Sequence, residues 1–406
     1  MKKIELLAPA GDLEKLRYAL HYGADAVYMA GEVFGLRQQT KNFTIEEMEI
    51  ALDEAHSMGK KLYLVLNIIP HNEDIKELKT YLEQIKNLCF DAYIVSDPGA
   101  IVLVREILGD VEIHLSTQAN TTNALSARFW HSQGVKRIIL ARELSLIEIK
   151  EIVDATQDLD LEYEVFIHGA MCISYSGRCL ISNFLSGRDA NKGDCAQSCR
   201  WSYYLMEEKR PGEYLPVVED EKGTYLYNSK DLCAIDLLKE IIDTGVVSLK
   251  IEGRNKSIYY VSSIVRAYKE GINRIQKNRA LNSEELFKEI SRVSHRDFTQ
   301  GFFLRKPTEE DQLYNAQNYI RRADFLGVVL DYDENTKLVK IEQRNKFELG
   351  DYVDFIGPDY KSYRLELNEL FDHDMKPIKA APHPQQIIYI YSKQKLYPMD
   401  LMRKAF

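Results

Sequence analysis

Along the first two-thirds of the chain, short aliphatic and β-branched runs alternate with longer amphipathic segments, the pattern of repeated β-α units around a parallel sheet. The short runs are Ile4–Leu7, Ala26–Met29, Leu62–Asn67, Ala92–Val95, Glu112–Leu115, Arg137–Ala141, Glu162–Ile167 and Ser248–Ile251. Helix-length segments such as Leu13–Tyr22 and Thr44–Met58 separate most of them. Eight such units predict an α/β fold, a (β/α)8 TIM-like barrel rather than an open doubly wound sheet, ending near residue 275. Gly23, Gly134 and Gly245 each stand where a helix stops before the next strand, which supports the repeat.

In such a barrel the residues after each strand's C-terminal end line the active-site mouth. That rule selects Asn67, Asp97, Gln118, Asn120, Arg142, Glu143, His168, Glu252 and Arg254. Each also has a plain structural reading: Asp97 as a helix cap before Pro98, Arg142-Glu143 as a helix-start ion pair, Gln118 and Asn120 as a satisfied polar turn. Residues 169–247, between the seventh and eighth strands, form an insertion far longer than a plain β-α connection needs. After residue 275 a helical and irregular connector, 276–324, includes the helix-like Asn282–Ser294. From 325 to 406 the pattern turns to alternation in Leu326–Leu330, Lys337–Glu342, Tyr352–Phe355 and Ile387–Tyr391, which reads as a small C-terminal antiparallel β-barrel. Arg321, Arg322, Lys340, Arg344 and Lys346 put basic residues near its start, where a solvated charged surface is the simpler reading of each.

The chemistry concentrates in the insertion. Five of the six cysteines, Cys172, Cys179, Cys195, Cys199 and Cys233, lie there among Gly, Arg, Ser and Asp; the sixth, Cys89, reads as a buried helix residue. The N-terminus does not read as a signal peptide and no apolar run is long enough to span a membrane, so a reducing cytoplasm is expected. Disulfides are disfavoured there, and the polar surroundings disfavour buried structural thiols, so a metal is the favoured reading over either alternative. Only Cys195-x3-Cys199 fits a zinc knuckle, while four thiolates from separated loops fit [4Fe–4S] equally well; spacing alone leaves iron–sulfur and zinc close to even. No Walker-type phosphate loop, Gly-x-Ser-x-Gly elbow or His-Glu-x-x-His helix occurs, and a Cys172/His168 nucleophile pair would leave four cysteines unexplained. A net charge of −9 argues against generic coating of nucleic acid but permits a local basic face.

Seven motifs, taken in order, make the chain familiar: Glu5–Gly11, Gly23–Tyr28, His168–Cys172, Tyr175–Cys179, Asp194–Trp201, Asn228–Leu232 and Leu249–Arg254. They resemble the collagenase-like peptidase family of unassigned catalytic type across the whole chain. The long C-terminal extension and Arg-Pro-Gly-Glu-Tyr at 210–214 are most similar to the family's prephenate-dependent tRNA-hydroxylation branch rather than its shorter ubiquinone-pathway members. The resemblance implies 5-hydroxyuridine formation at the tRNA wobble position, with prephenate as the hydroxyl source and an iron–sulfur cluster in the protein. Cys172, Cys179 and Cys195 match recurring family positions, and Cys199 and Cys233 compete for the fourth ligand. His168, Glu252, Arg254 and Gln118 are then candidate catalytic residues, and Arg142, Arg178 and Asn67 candidate contacts to tRNA or the dicarboxylate donor. A second family member as partner subunit also fits. The competing readings are a peptidase and a metal-stabilised RNA-binding accessory without chemistry of its own.

Overall fold

The computed structural model describes residues 3–32, 34, 42–172, 174–201, 204–206, 214–216, 230–306 and 319–405. Residues 210–213, 228 and 229 of the quoted motifs, and 307–318 of the expected connector, lie outside them. The strands in chain order begin with β1 (Glu5–Pro9), β2 (Ala26–Met29), β3 (Lys61–Leu66), β4 (Ala92–Val95), β5 (Ile113–Leu115), β6 (Arg137–Ile139) and β7 (Glu162–Ala170). There follow β8 (Tyr204–Met206), β9 (Tyr214–Pro216), β10 (Asp231–Cys233), β11 (Ser248–Ile251) and β12 (Phe298–Thr299). Strands β1 to β7 pair in sequence order and in parallel, and β11 pairs with both β7 and β1, which closes a ring of eight. The TIM-like barrel is therefore present, and all eight expected runs are its strands.

Two compact units make up the chain: Met1–Leu20, Ala24–Asn255 and Arg296–Asn318 in one, and His21–Gly23, Lys256–His295 and Tyr319–Phe406 in the other. The first holds the barrel strands. The helix Ile258–Gln276, expected at the barrel's end, groups with the second. The expected connector divides, because Arg296 turns back to the barrel unit and chelates Asp231 with Nε at 3.0 Å, Nη2 at 2.5 Å and its backbone N–H at 3.1 Å.

Alternate residues of each barrel strand face the interior, as the pleat dictates. At the strands' N-terminal ends the interior is charged. Arg137 Nη1 donates to Glu5 at 2.5 Å and Glu164 at 3.4 Å, Tyr63 donates to Glu5 at 2.8 Å, and Ser248 donates to both carboxylates. Lys250 lies 3.1 Å from Glu164. Above this plug sits an apolar layer of Leu7, Tyr28, Val65, Ile94, Ile139 and Phe166. Burial alone would raise the pKa of Glu164, but Lys250, then Arg137 and His114, hold it below the ordinary carboxylate value.

Beyond the barrel wall β7 continues to Ala170 and pairs antiparallel with β10, which sets Cys233 opposite His168. Cys89, expected inside a helix, is exposed and follows the helix Asn72–Ile85; its apolar neighbours suggested burial that the chain does not provide. No helix among the described residues is long and apolar enough to cross a membrane.

In the second unit β13 (Ala323–Tyr332), β14 (Leu338–Gln343), β15 (Phe347–Glu348), β16 (Tyr352–Ile356), β17 (Ser362–Glu366), β18 (Ala380–Ala381), β19 (Ile387–Tyr391) and β20 (Leu401–Ala405) follow one another. Six form an antiparallel sheet ordered β17-β16-β20-β13-β14-β19, with β15 and β18 paired separately. Register shifts at Phe325/Gly327 and Val329/Asp331 bend β13, and the sheet curls as a half-barrel over one apolar core. Its edge strands β17 and β19 do not pair with each other. Within this unit the buried Glu289 accepts from Arg266 at 2.8 Å and from Arg403 at 2.6 and 2.9 Å.

Replacing one member of a buried ion network leaves the others uncompensated. Glu164→Ala is expected to lower stability by about 3–5 kcal/mol in urea unfolding at neutral pH. Because the folded pKa of Glu164 lies below its unfolded value, its contribution is present above about pH 4.3 and fades as pH falls through the folded pKa, so the variant's stability should show a shallower acid limb than wild type.

Candidate active site at the barrel mouth

The strand ends bring the mouth residues together in two groups. In the first, Asn67 Nδ2 donates to Gln118 Oε1 at 2.6 Å and to Ser116 Oγ at 3.2 Å, and Ser116 donates to the same Gln118 oxygen at 2.6 Å. Gln118 lies on the 3-10 turn Thr117–Ala119, which ends at Asn120 in the left-handed region and is closed by Asn120 Nδ2 donating to Gln118 O. This is a built polar wall. Asp97 stands apart: it caps the helix Pro98–Leu108 by accepting from Ala100 N–H at 2.9 Å. Half-buried Glu143 has its pKa raised by burial, an effect that neighbouring Arg142 opposes only in part.

The second group surrounds the upper end of β7. Glu252 N–H donates to His168 O at 2.8 Å, and Tyr28 OH reaches Glu252 Oε2 at 3.1 Å. Gly169 has φ +113°, and a Cβ there would lie 2.4 Å from Glu252 O, so only glycine fits between strand and mouth. Buried Arg254 places its carbonyl where a Cβ on Gly11 would lie 2.6 Å away. The His168 ring packs against Phe298 with centroids 5.6 Å apart. Sequence reasoning passed over Lys250. Two residues before Glu252 on the same face, it is buried with its ammonium 4.5 Å from the Tyr28 ring centroid and 5.4 Å from that of Phe166. A lysine inside a four-residue apolar strand was the available signal.

The cysteine segment leaves β7 directly and is tied back to the wall. Arg142 donates through Nη1 to Ala170 O at 3.0 Å and through Nη2 to Ser176 Oγ at 2.8 Å, straddling Cys172, with its guanidinium 5.6 Å from the Phe166 centroid. The expected substrate cation thus serves here as a brace. The next turn closes by Arg178 N–H to Tyr175 O at 3.1 Å; Gly177, φ +71°, lies so near the wall that a Cβ would sit 2.9 Å from Gln118 Cγ. Ser182 Oγ accepts from Ala196 N–H at 2.9 Å and donates to Arg188 O at 2.8 Å, joining the chain after Cys179 to the chain after Cys195. Lys192 bonds Asp74 at 2.8 Å, and Ile69 N–H bonds Asn191 O, so the insertion also grips the loop beyond β3.

Cys172 and Cys195 are exposed, Cys179 and Cys199 half-buried, and Cys233 buried on β10. Cys195 Sγ accepts from Gln197 N–H at 3.3 Å. A single tetrahedral zinc ion with Zn–S bonds near 2.3 Å would need thiolates about 3.8 Å apart. Among the described residues, the one trio with ligand atoms within 4.8 Å is Asp372, His373 and Asp374 in the other unit. The segment's donors are all soft sulfur, borne on separate turns, a set that suits an iron–sulfur cluster or zinc.

A profile described as "Peptidase family U32" matches residues 11–313, and one described as "Peptidase family U32 C-terminal domain" matches residues 321–403. The chain belongs to peptidase family U32. Among the relatives of this U32 chain, the protein named "tRNA hydroxylation protein P1" of Bacillus subtilis is 40% identical over 406 residues, 100% of this chain and 95% of that protein. The one named "tRNA hydroxylation protein P" of Escherichia coli is 38% identical, covering 98% and 95%. A third, "23S rRNA 5-hydroxycytidine C2501 synthase" of Escherichia coli, is 38% identical over 277 residues, 68% of this chain and 40% of that protein.

Two hydrogen bonds from a charged donor hold the first cysteine turn, each worth about 1.5–3 kcal/mol. In Arg142→Ala, hydrogen exchange at the amides of Ser174–Arg178 should accelerate by at least about tenfold. Arg142→Lys should not restore it, because an ammonium lacks the fork that spans Ala170 O and Ser176 Oγ.

Proposed function

We propose that this U32 protein hydroxylates tRNA, forming 5-hydroxyuridine at the wobble position with prephenate as hydroxyl source. The observation that carries the reading is a sulfur-rich segment braced across a polar barrel mouth, in a chain related over its whole length to proteins named for tRNA hydroxylation. The relative named as a 5-hydroxycytidine synthase supports the same position of the pyrimidine ring. Replacing C–H by C–OH withdraws two electrons from the base, chemistry that side-chain acids and bases do not perform unaided. Cys172, Cys179 and Cys195, with Cys233 or Cys199 as fourth ligand, would hold a [4Fe–4S] cluster, which when bound supplies electron transfer or a Lewis-acidic iron.

The chain's own groups then have definite tasks. Asn67 and Gln118 present a fixed amide wall to an unstacked base, and Glu143, its pKa raised by burial, can hold a proton at the mouth. His168 and Glu252 line the strand end beside Cys233, and Arg254 and Arg178 are the cations for a dicarboxylate or phosphate. The peptidase reading needs a nucleophile beside a base; Cys172 is exposed whereas His168 is buried against Phe298.

Nucleoside mass spectrometry of tRNA from a strain lacking this gene, and any redundant route, should show loss of 5-hydroxyuridine derivatives; unchanged levels would sink the assignment. Anaerobically purified protein should be brown, with iron and sulfide in about 4:4 ratio. Cys172→Ser, Cys179→Ser and Cys195→Ser should each lose that iron, and only one of Cys199→Ser and Cys233→Ser should do the same. Colourless, zinc-loaded protein would overturn the cluster.

A further inference from the structure

The turn Tyr175-Ser176-Gly177-Arg178 divides its side chains by task. Its two central residues face the barrel: Ser176 is buried and bonded to Arg142 at 2.8 Å, and Gly177 lies against Gln118. Its outer two do not. Tyr175 is 47% exposed, and Arg178 is exposed with no side-chain partner among the described residues. The other two cations between Cys172 and Cys199 are spent, Arg188 on Asp194 at 2.7 Å and Lys192 on Asp74 at 2.8 Å. The same insertion exposes Phe184 at 86% and Trp201 at 46%.

We propose that this turn is a landing platform for a single-stranded RNA segment, with the Tyr175 ring stacking on a base beside the target nucleotide and the Arg178 guanidinium taking a phosphate. The proposal rests on the tRNA reading above and deepens it. An exposed aromatic beside an unpaired guanidinium is the pairing that recognises unstacked bases on a phosphate backbone, and a duplex, whose bases are stacked on one another, offers no face to the ring. Local cations are needed because the chain as a whole, at −9, repels RNA. The brace through Arg142 and the close approach to Gln118 fix the platform at the mouth's rim, so a nucleotide stacked on Tyr175 has its neighbour within reach of the Asn67–Gln118 wall.

The test is fluorescence anisotropy with a labelled anticodon stem-loop and a blunt duplex of equal length, using anaerobically purified full chain and monitoring iron content in each variant. Wild type should favour the stem-loop. Tyr175→Ala and Tyr175→Leu should each weaken stem-loop binding by about tenfold or more, while Tyr175→Phe stays near wild type. That Leu fails where Phe succeeds separates stacking from lost packing. Arg178→Ala should reduce the slope of log affinity against log salt by about 0.7, the value for one phosphate of a single strand, with Arg178→Lys restoring most of it. Wild-type binding with unchanged affinity in Tyr175→Leu and unchanged salt slope in Arg178→Ala would overturn the platform and leave the tRNA reading standing. Equal affinity for the duplex would overturn it too. Failure of the wild type to bind the stem-loop at all would instead strike the tRNA reading itself. If Arg178→Ala weakens prephenate binding and leaves the RNA salt slope alone, the guanidinium belongs to the donor and the platform is wrong.

Discussion

The mouth of this barrel depends on how far one strand runs. Strands β5 and β6 stop after three residues, whereas β7 continues for nine, and its surplus lies beyond the wall. Its inward residues Glu164, Phe166 and His168 serve three levels in turn: the charged plug, the apolar layer and the mouth. Its last three residues then template β10, so the backbone hydrogen bonds that place Cys233 are those of the strand that delivers Cys172 two residues later. Were β7 to end with the barrel wall, Cys233 would lose its partner His168, and β10 would keep only its pairing with β12. Gly169 is the condition for this extension, since any side chain there would enter the Glu252 backbone.

The layered interior has a second consequence. Burying Glu5, Glu164, Arg137 and Lys250 together is tolerable only because each charge has an opposite partner and further hydrogen bonds from Tyr63 and Ser248. A network paired in this way fills the N-terminal end of the barrel, opposite the mouth residues. Phe166 lies between the levels, with Lys250 of the plug and Arg142 of the mouth both close to its ring. One aromatic ring is thereby a neighbour of both the plug and the brace that holds the first cysteine turn.

Much of this was written in the pattern of the chain, and the exceptions have physical causes. All eight barrel strands were legible because each is covered on both faces and so is largely apolar, its few charged residues confined to the plug at the N-terminal ends. The extension of β7 was not, since His168-Gly169 reads as a polar turn. Strand β20 was missed because Arg403, by hydropathy a surface residue, is fully buried on Glu289. Edge strand β17, Ser-Tyr-Arg-Leu-Glu, carries too little apolar character to announce itself. The five cysteines were plain, but the work of Arg142 was hidden, because its partners stand 28 and 34 residues ahead and nothing local joins them.

Hydrogen-bond saturation also apportions roles at the mouth. Asn67 and Gln118 hold one another, and Arg142 holds Ala170 and Ser176; a ligand that took any of these groups away would first have to break the bonds they already make. Wall residues of this kind are suited to shape and orientation rather than to capture. In the platform proposed above, capture falls to groups that give up little, the exposed Tyr175 and Arg178, whose turn commits Ser176 and Gly177 to the wall. Glu143 adds the complementary property. Half-buried, it has its pKa raised by desolvation against the opposing pull of Arg142, so its carboxyl at the mouth takes a proton more readily than an exposed one would.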